Sequence, residues 1–219
     1  MFPLECMPSR RNFLKTTAAL TTGLSGLTLL SPPAYSEDAD LTIVGPQKGF
    51  SPEIGTLTSM MAFMREQVLR SVKGMSQQDL DFLLDAKANR IGALLIHLAS
   101  IESVYQINTF EGLTEKQPPP EAFKQKWGIA MDLGEPARKA IKGNSLDYYL
   151  NILHETREKT LAEFRKRDDK WLMAVDKDWS WGPTNNYCKW FHVTEHEANH
   201  NGQIKFLKSR LPGAKPASE

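Results

Sequence analysis

The sequence predicts an all-α protein: a four-helix bundle with short extra helical pieces in the connection between the second and third long helices. Three observations support this fold class. Four long segments repeat their apolar residues with the period of a helix, Gly and Pro separate these segments, and no stretch alternates convincingly as a strand would. Four amphipathic helices with short connections bury their apolar faces most simply against one another.

The first long helix is predicted over residues 52–72. Its apolar side chains recur at the spacing of one helical face and are Leu57, Met60, Met61, Met64 and Val68. A polar turn at 76–79 follows. The second long helix is predicted over about 86–110, where the run 91–96 is apolar nearly all round and is therefore expected to be buried.

The second half of the chain predicts two more long helices. Between 121 and 142 we expect short helical pieces that are interrupted at Gly128, Gly134 and Pro136. The third long helix is expected to begin near Ser145 and to fray in the charged run 165–170. An aromatic-rich connection leads to the fourth helix, over about 184–210.

The N-terminal segment predicts export. A twin arginine, Arg10-Arg11, precedes a mildly apolar stretch, and a small-x-small cleavage pattern ends at Ser36. We therefore interpret 1–36 as a twin-arginine signal peptide, which predicts a periplasmic or otherwise exported protein. The remaining organisation is an irregular lead-in over 37–51, the bundle over 52–211 and a tail over 212–219.

Composition excludes several classes of partner. Hydrophobic residues make up 41% and charged residues 24% of 219 residues, and the formal net charge is +1. No basic stripe indicates nucleic-acid binding, and no apolar run is long enough to predict membrane contact after removal of the signal. Of two cysteines, only Cys188 would remain after cleavage, so no intramolecular disulfide is expected. We interpret Cys188 as a small buried residue.

Three histidines are expected to face the core. His196 and His200 are four residues apart in the middle of the apolar stripe of the fourth helix, and His97 lies on the apolar face of the second. Buried imidazoles without partners are costly, and a shared metal ion satisfies all three. The pattern favours a divalent transition metal such as Zn, Ni or Fe, whose identity nitrogen ligands do not decide. Pairing by hydrogen bonds alone is the alternative.

Other polar residues carry weaker predictions. His154 is interpreted as a boundary residue, and His192 as either exposed or close to the site. Glu102, Asn199 and Gln203 are candidates for supporting the histidines through helix spacing, with an ordinary polar helix residue as the alternative. The default for one aromatic cluster is local core packing, with a pocket mouth or a dimer face as alternatives. It comprises Trp171, Trp179, Trp181, Tyr187 and Trp190.

Residues 196–200 also fit the H-E-x-x-H pattern of zinc metalloproteases, in which the Glu is a general base. No third His follows, and the only later carboxylate side chain is Glu219. The context therefore disfavours a protease. Glu197 is interpreted as a solvated residue or as one that supports the histidines.

Four segments, at 49–55, 89–98, 133–138 and 191–204, together resemble the DinB-like family. This family includes mycothiol-dependent maleylpyruvate isomerases and bacillithiol transferases. The resemblance implies a metal-binding four-helix fold, with His97, His196 and His200 as ligands. It also implies a metal-dependent transferase or hydrolase acting on a small molecule that the sequence does not identify. A non-catalytic metal or ligand-binding protein and a metal that only stabilises the bundle are the alternatives, and a homodimer is left open.

Overall fold

A computed structural model describes residues 41–215, and the predicted signal segment 1–36 lies outside this range. The described chain is an all-α bundle, as predicted. Its elements, in chain order, are α1 (Pro52–Val72), α2 (Gln77–Leu80), α3 (Ile91–Thr109), α4 (Glu121–Asp132), α5 (Gly134–Ala140), α6 (Leu146–Phe164), α7 (Asp169–Leu172), β1 (Val175–Asp176), β2 (Thr184–Asn185) and α8 (Asn186–Lys208).

The four long helices α1, α3, α6 and α8 form the bundle. Helix α1 packs on α8, while α3 packs on both α6 and α8. The shorter α4 lies against α3 and covers part of it. Helix α3 is almost entirely buried because neighbours surround it, which explains why its central run is apolar on all sides.

Caps within the sequence determine where several helices begin. Ser76 and Asp79 form a reciprocal capping box at α2, and the side chain of Ser145 accepts a hydrogen bond from the N–H of Tyr148 at α6. The N-terminus of α1 is capped from a distance instead. There Asp169, at the start of α7, accepts hydrogen bonds from the backbone N–H groups of Glu53 and Ile54.

Three boundaries differ from the prediction. Helix α3 begins at Ile91 rather than near 86, because the carboxylate of Asp85 accepts hydrogen bonds from the N–H groups of Lys87 and Ala88 and holds a turn there. Helix α4 continues through Gly128, since a single glycine costs only about 1 kcal/mol in a helix. Helix α5 likewise continues through Pro136, because this residue lies in the first turn, where a backbone N–H has no partner within the helix.

The aromatic-rich connection contains the strands that the sequence did not predict. β1 and β2 pair antiparallel, with Val175 opposite Asn185 and Asp176 opposite Thr184. Each strand has only two residues, too few to show an alternating pattern. Among residues 41–215, no helix is long and apolar enough to cross a membrane.

The prediction that Cys188 is buried is wrong, because its side chain is exposed. Trp190, which is fully buried, defines the inward face of this first part of α8. A residue two positions away is rotated by about 200° around a helix, so Cys188 faces solvent.

Candidate metal centre

Three histidine rings from two long helices converge inside the bundle. His97 lies on α3, and His196 and His200 lie one turn apart on α8. The Nε2 atom of His196 is 3.2 Å from Nε2 of His97 and 3.1 Å from Nε2 of His200. Ring nitrogens of all three lie within 4.8 Å of one another, as the helix faces predicted.

The outer nitrogens of two rings are oriented by neighbouring oxygens. His97 Nδ1 lies 2.8 Å from the backbone carbonyl oxygen of Ala130 on α4, and His200 Nδ1 lies 3.1 Å from Oε1 of Gln203. A carbonyl or amide oxygen can only accept, so both Nδ1 atoms carry the proton. The Nε2 lone pairs of His97 and His200 therefore both point toward His196.

Hydrogen bonds alone cannot satisfy this arrangement. Neutral His196 offers at most one Nε2–H, whereas two Nε2 acceptors, from His97 and His200, lie 3.2 and 3.1 Å from it. A cation would satisfy all three lone pairs at once. Two nitrogens bound to one tetrahedral Zn²⁺ at about 2.0 to 2.1 Å are about 3.3 Å apart. The two separations from His196 therefore fit a shared divalent transition metal, and the ring nitrogens of His97 and His200 lie within 4.8 Å of each other.

Burial keeps the three imidazoles neutral, which is the form that binds metal. It lowers the pKa of His196 to about 3, and the neighbouring His200 and His97 add to the shift. Burial also lowers the pKa of His97 and of His200, although the carbonyl of Ala130 and the side chain of Gln203, respectively, oppose it.

The side of the site toward the N-terminus of α8 is aromatic and partly open. The ring of His192 lies 5.6 Å from that of His196, and Trp181 contacts His192 edge-on at 5.0 Å. His192 Nδ1 lies 2.8 Å from a carboxylate oxygen of Glu195. His192 is therefore close to the site and partly exposed, which combines the two interpretations that the sequence left open.

Comparison with known families agrees with this geometry. The family model described as Mycothiol-S-transferase matches residues 56–213, well over half of the chain. The chain belongs to the mycothiol-S-transferase family. The match confirms the DinB-like resemblance and includes all three histidines within its range. No curated protein matches the sequence.

This mycothiol-S-transferase family member also has a buried charge network, contributed by one residue from each of the four long helices. Arg65 of α1 and Arg157 of α6 bind Glu102 of α3 and Glu197 of α8. All four side chains are at most 2% exposed. Burial alone would raise the pKa of Glu102, but the charges of Arg157 and Arg65 have the larger combined effect and lower this pKa. We refer to these four residues as the charge network.

The charge network changes the interpretation of two predicted residues. Glu197 is buried rather than solvated, and its Oε1 accepts hydrogen bonds from both arginines. A protease base needs a carboxylate that is free to take a proton from water, so this pairing is a further argument against the protease. Glu102 likewise binds Arg65, Arg157 and Thr160, so its carboxylate is engaged within the charge network.

The remaining predicted residues divide between the site and the surface. Gln203 contacts His200, as anticipated, whereas Asn199 is exposed. His154 is half-buried, as a boundary residue should be. In the aromatic cluster, Trp190 and Trp179 are buried but Trp181 is 54% exposed, so core packing accounts for only part of it.

Sequence reasoning missed the carbonyl of Ala130, which orients His97. A backbone acceptor leaves no mark in residue identity, and the short helix that supplies it is separated from His97 by more than thirty positions. Arg65 was also missed. The only signal was a charged residue on the apolar face of the first helix, close to Met61 and Val68 in helical spacing.

Proposed function

We propose that this protein is a metal-dependent transferase that joins a small thiol to an electrophilic small molecule. The observation that carries the proposal is the convergence of His97, His196 and His200, within a chain that belongs to the mycothiol-S-transferase family. The family's description names mycothiol, and that thiol or a chemical relative is therefore the first candidate.

Three neutral imidazoles suit such a reaction. A divalent ion held by them would keep its full charge and an open position, so it would lower the pKa of a thiol there. The carbonyl of Ala130 and the amide of Gln203 orient the rings. In the reaction, the thiol loses its proton to solvent and its sulfur bonds to the electrophilic carbon. The leaving group departs with the electron pair of the broken bond.

The test combines metal analysis with a transfer assay. The protein without its signal segment should hold about one equivalent of divalent metal and should accelerate the reaction of a thiol with chlorodinitrobenzene. Mycothiol, bacillithiol, glutathione and cysteine would be compared as thiols. A His196→Ala/His200→Ala double variant should lose both metal and activity. His154→Ala, which removes a histidine outside the site, should retain both.

Other outcomes distinguish the alternatives. Metal without transfer across a broad panel of thiols and electrophiles would refute the transferase and favour a binding protein. If a chelator unfolds the protein sharply and no turnover is found, the metal stabilises the bundle. Absence of metal after reconstitution would refute the metal site, and the transferase would be excluded with it.

We also propose that the protein is exported through the twin-arginine route. The support is the order of Arg10-Arg11, the apolar stretch and the cleavage pattern in the sequence. The full chain, expressed in a host with this route, should be recovered from the exported fraction. An Arg10→Lys/Arg11→Lys variant should stay in the cytoplasm, and equal export of both would refute the proposal.

A further inference from the structure

A cavity of about 440 Å³ lies between α3, α4 and the loop that follows α3. Its size falls within the range of ligand pockets in proteins. Its walls include Val104 and Ile107 from α3 and Phe123 and Met131 from α4, with Trp179 from the aromatic connection. None of the three histidines lines it.

One end of this cavity nevertheless adjoins the histidine site. Met131 and Asp132 line the cavity and directly follow Ala130, whose carbonyl accepts from His97. Val104 lies two turns beyond His97 on α3. A ligand that fills the cavity would therefore end close to the site.

A second connection runs through the aromatic rings. Trp179, in the cavity wall, contacts Trp181 edge-on at 5.8 Å, and Trp181 contacts His192 at 5.0 Å. The ring of His192 contacts that of His196. The cavity and the partly open side of the histidine site thus share one continuous aromatic wall.

Three polar side chains of the cavity wall are already bound within the protein. Asn108 accepts from Lys189 and donates to the carbonyl of Leu113. The carboxylate of Glu115 accepts from the N–H and hydroxyl of Ser180. Gln117 Oε1 accepts twice from Thr114. These acceptors are thus engaged within the protein and the apolar side chains offer most of the contact area, while the buried Nε1–H of Trp179 has no hydrogen-bond partner.

We propose that this cavity binds the uncharged, ring-sized apolar group of the electrophilic substrate, with the reacting carbon toward His97 and His196. The inference rests on the proposed transferase function. The walls offer mainly apolar surface, so a polar thiol is expected to approach from the partly open side near His192. The cavity thus selects the electrophile.

The charges of the cavity also predict selectivity. Its charged lining residues are Glu115, Asp132 and Lys124, which sum to a net negative charge. An anionic ring system should therefore bind more weakly than a neutral one of the same shape. Phenylnaphthylamine and its sulfonated analogue, anilinonaphthalene sulfonate, form such a pair and fluoresce when they are bound in apolar surroundings.

Gly128 provides a way to fill the cavity without disturbing the fold. It lies in α4 and lines the cavity, and a Cβ built there meets no atom within 4 Å. A side chain at this position is therefore expected to enter open space. Replacing glycine inside a helix also favours the helix, so Gly128→Phe should fold.

Titration of the metal-loaded protein with phenylnaphthylamine tests the inference without any turnover. Gly128→Phe should weaken binding by about tenfold or more, since the probe loses the apolar surface that the new ring covers. Gly128→Ala, which changes the helix but fills little space, should bind as the wild type does. Ala122→Phe, which adds the same ring on another side of α4, should also bind normally. The sulfonated analogue should bind the wild type more weakly.

Equal binding by Gly128→Phe and wild type would overturn the inference, as would tighter binding of the sulfonated analogue. In the transfer assay, Gly128→Phe should raise the KM for aromatic electrophiles while metal content and the KM for the thiol stay unchanged. These experiments distinguish an error in the proposed binding cavity from an error in the proposed transferase function. If the probe binds but no thiol transfer is found, the transferase is refuted and the binding cavity is retained. If transfer occurs but Gly128→Phe does not affect it, the role of the cavity is refuted and the transferase is retained.

Discussion

Replacing Glu102 with glutamine should destabilise the protein strongly, because it removes one of the two negative charges that compensate Arg65 and Arg157. One oxygen of Glu102 accepts from Arg157 Nε at 2.8 Å and from Thr160 Oγ1 at 2.7 Å. The other accepts from Nη2 of Arg65 at 3.0 Å and of Arg157 at 3.2 Å. The side-chain NH2 of Glu102→Gln would replace one of these two oxygens. Whichever oxygen it replaces, the NH2 group would face a guanidinium N–H, and two donors cannot form a hydrogen bond.

The magnitude follows from these contacts. At least two charge-assisted hydrogen bonds are lost, each worth about 1.5 to 3 kcal/mol, and two arginines are left with Glu197 as their only carboxylate in the charge network. Breaking a buried pair by removing one partner costs about 3 to 5 kcal/mol. We expect the free energy of unfolding to fall by this amount.

Urea denaturation of wild type and variant, at equal metal content, measures this difference. The matched control is Glu66→Gln, which breaks the ion pair with Arg70 on the surface of α1. Those side chains are 31% and 64% exposed, so the control should cost less than about 1 kcal/mol. If Glu102→Gln costs no more than the control, the charge network does not stabilise the fold as inferred here.

Two further predictions concern the histidine site. Gln203→Ala should lower metal affinity about ten- to a hundredfold, because it removes the acceptor that orients His200. Competition with a chelator would measure this, with the exposed Asn199→Ala as the control that should not change. Second, the free energy of unfolding of the metal-free protein should fall as the pH drops below 6.5, the ordinary histidine pKa. Burial lowers the pKa of the three histidines in the fold, so below this pH the unfolded chain binds protons that the folded chain does not. The contribution of the neutral histidines to stability is therefore complete above pH 6.5. It decreases as the pH falls from 6.5 to about 3, the pKa of His196 in the folded protein. Urea denaturation at about pH 7.5 and about pH 5 tests the sign, and equal stability at the two pH values would contradict it.

Helical periodicity was sufficient to predict where the histidines meet. His196 and His200 lie on the same side of a helix because of a four-residue spacing, and His97 lies on the apolar face of its own helix. Each assignment needs only the local geometry of a helix. The same reasoning failed for Glu197, since a charged residue at the edge of an apolar stripe looks solvated until its partners on other helices are known.

The partners in the charge network lie far apart in sequence. Arg65 and Glu197 are 132 positions apart, and Arg157 and Glu102 are 55 apart. No periodic signal connects such pairs, and only the packing of the helices brings them together. The capping of α1 by Asp169 and the orientation of His97 by Ala130 depend on tertiary structure in the same way.

The sequence by itself determined the fold class, the approximate extent of the long helices and the set of three histidines, because these follow from side-chain spacing along single helices. Only the tertiary structure decided the buried pairing of Glu102 and Glu197, the exposure of Cys188 and the cavity beside α4. These depend on which surfaces of different helices face each other, and contacts between distant segments have no signature in local periodicity.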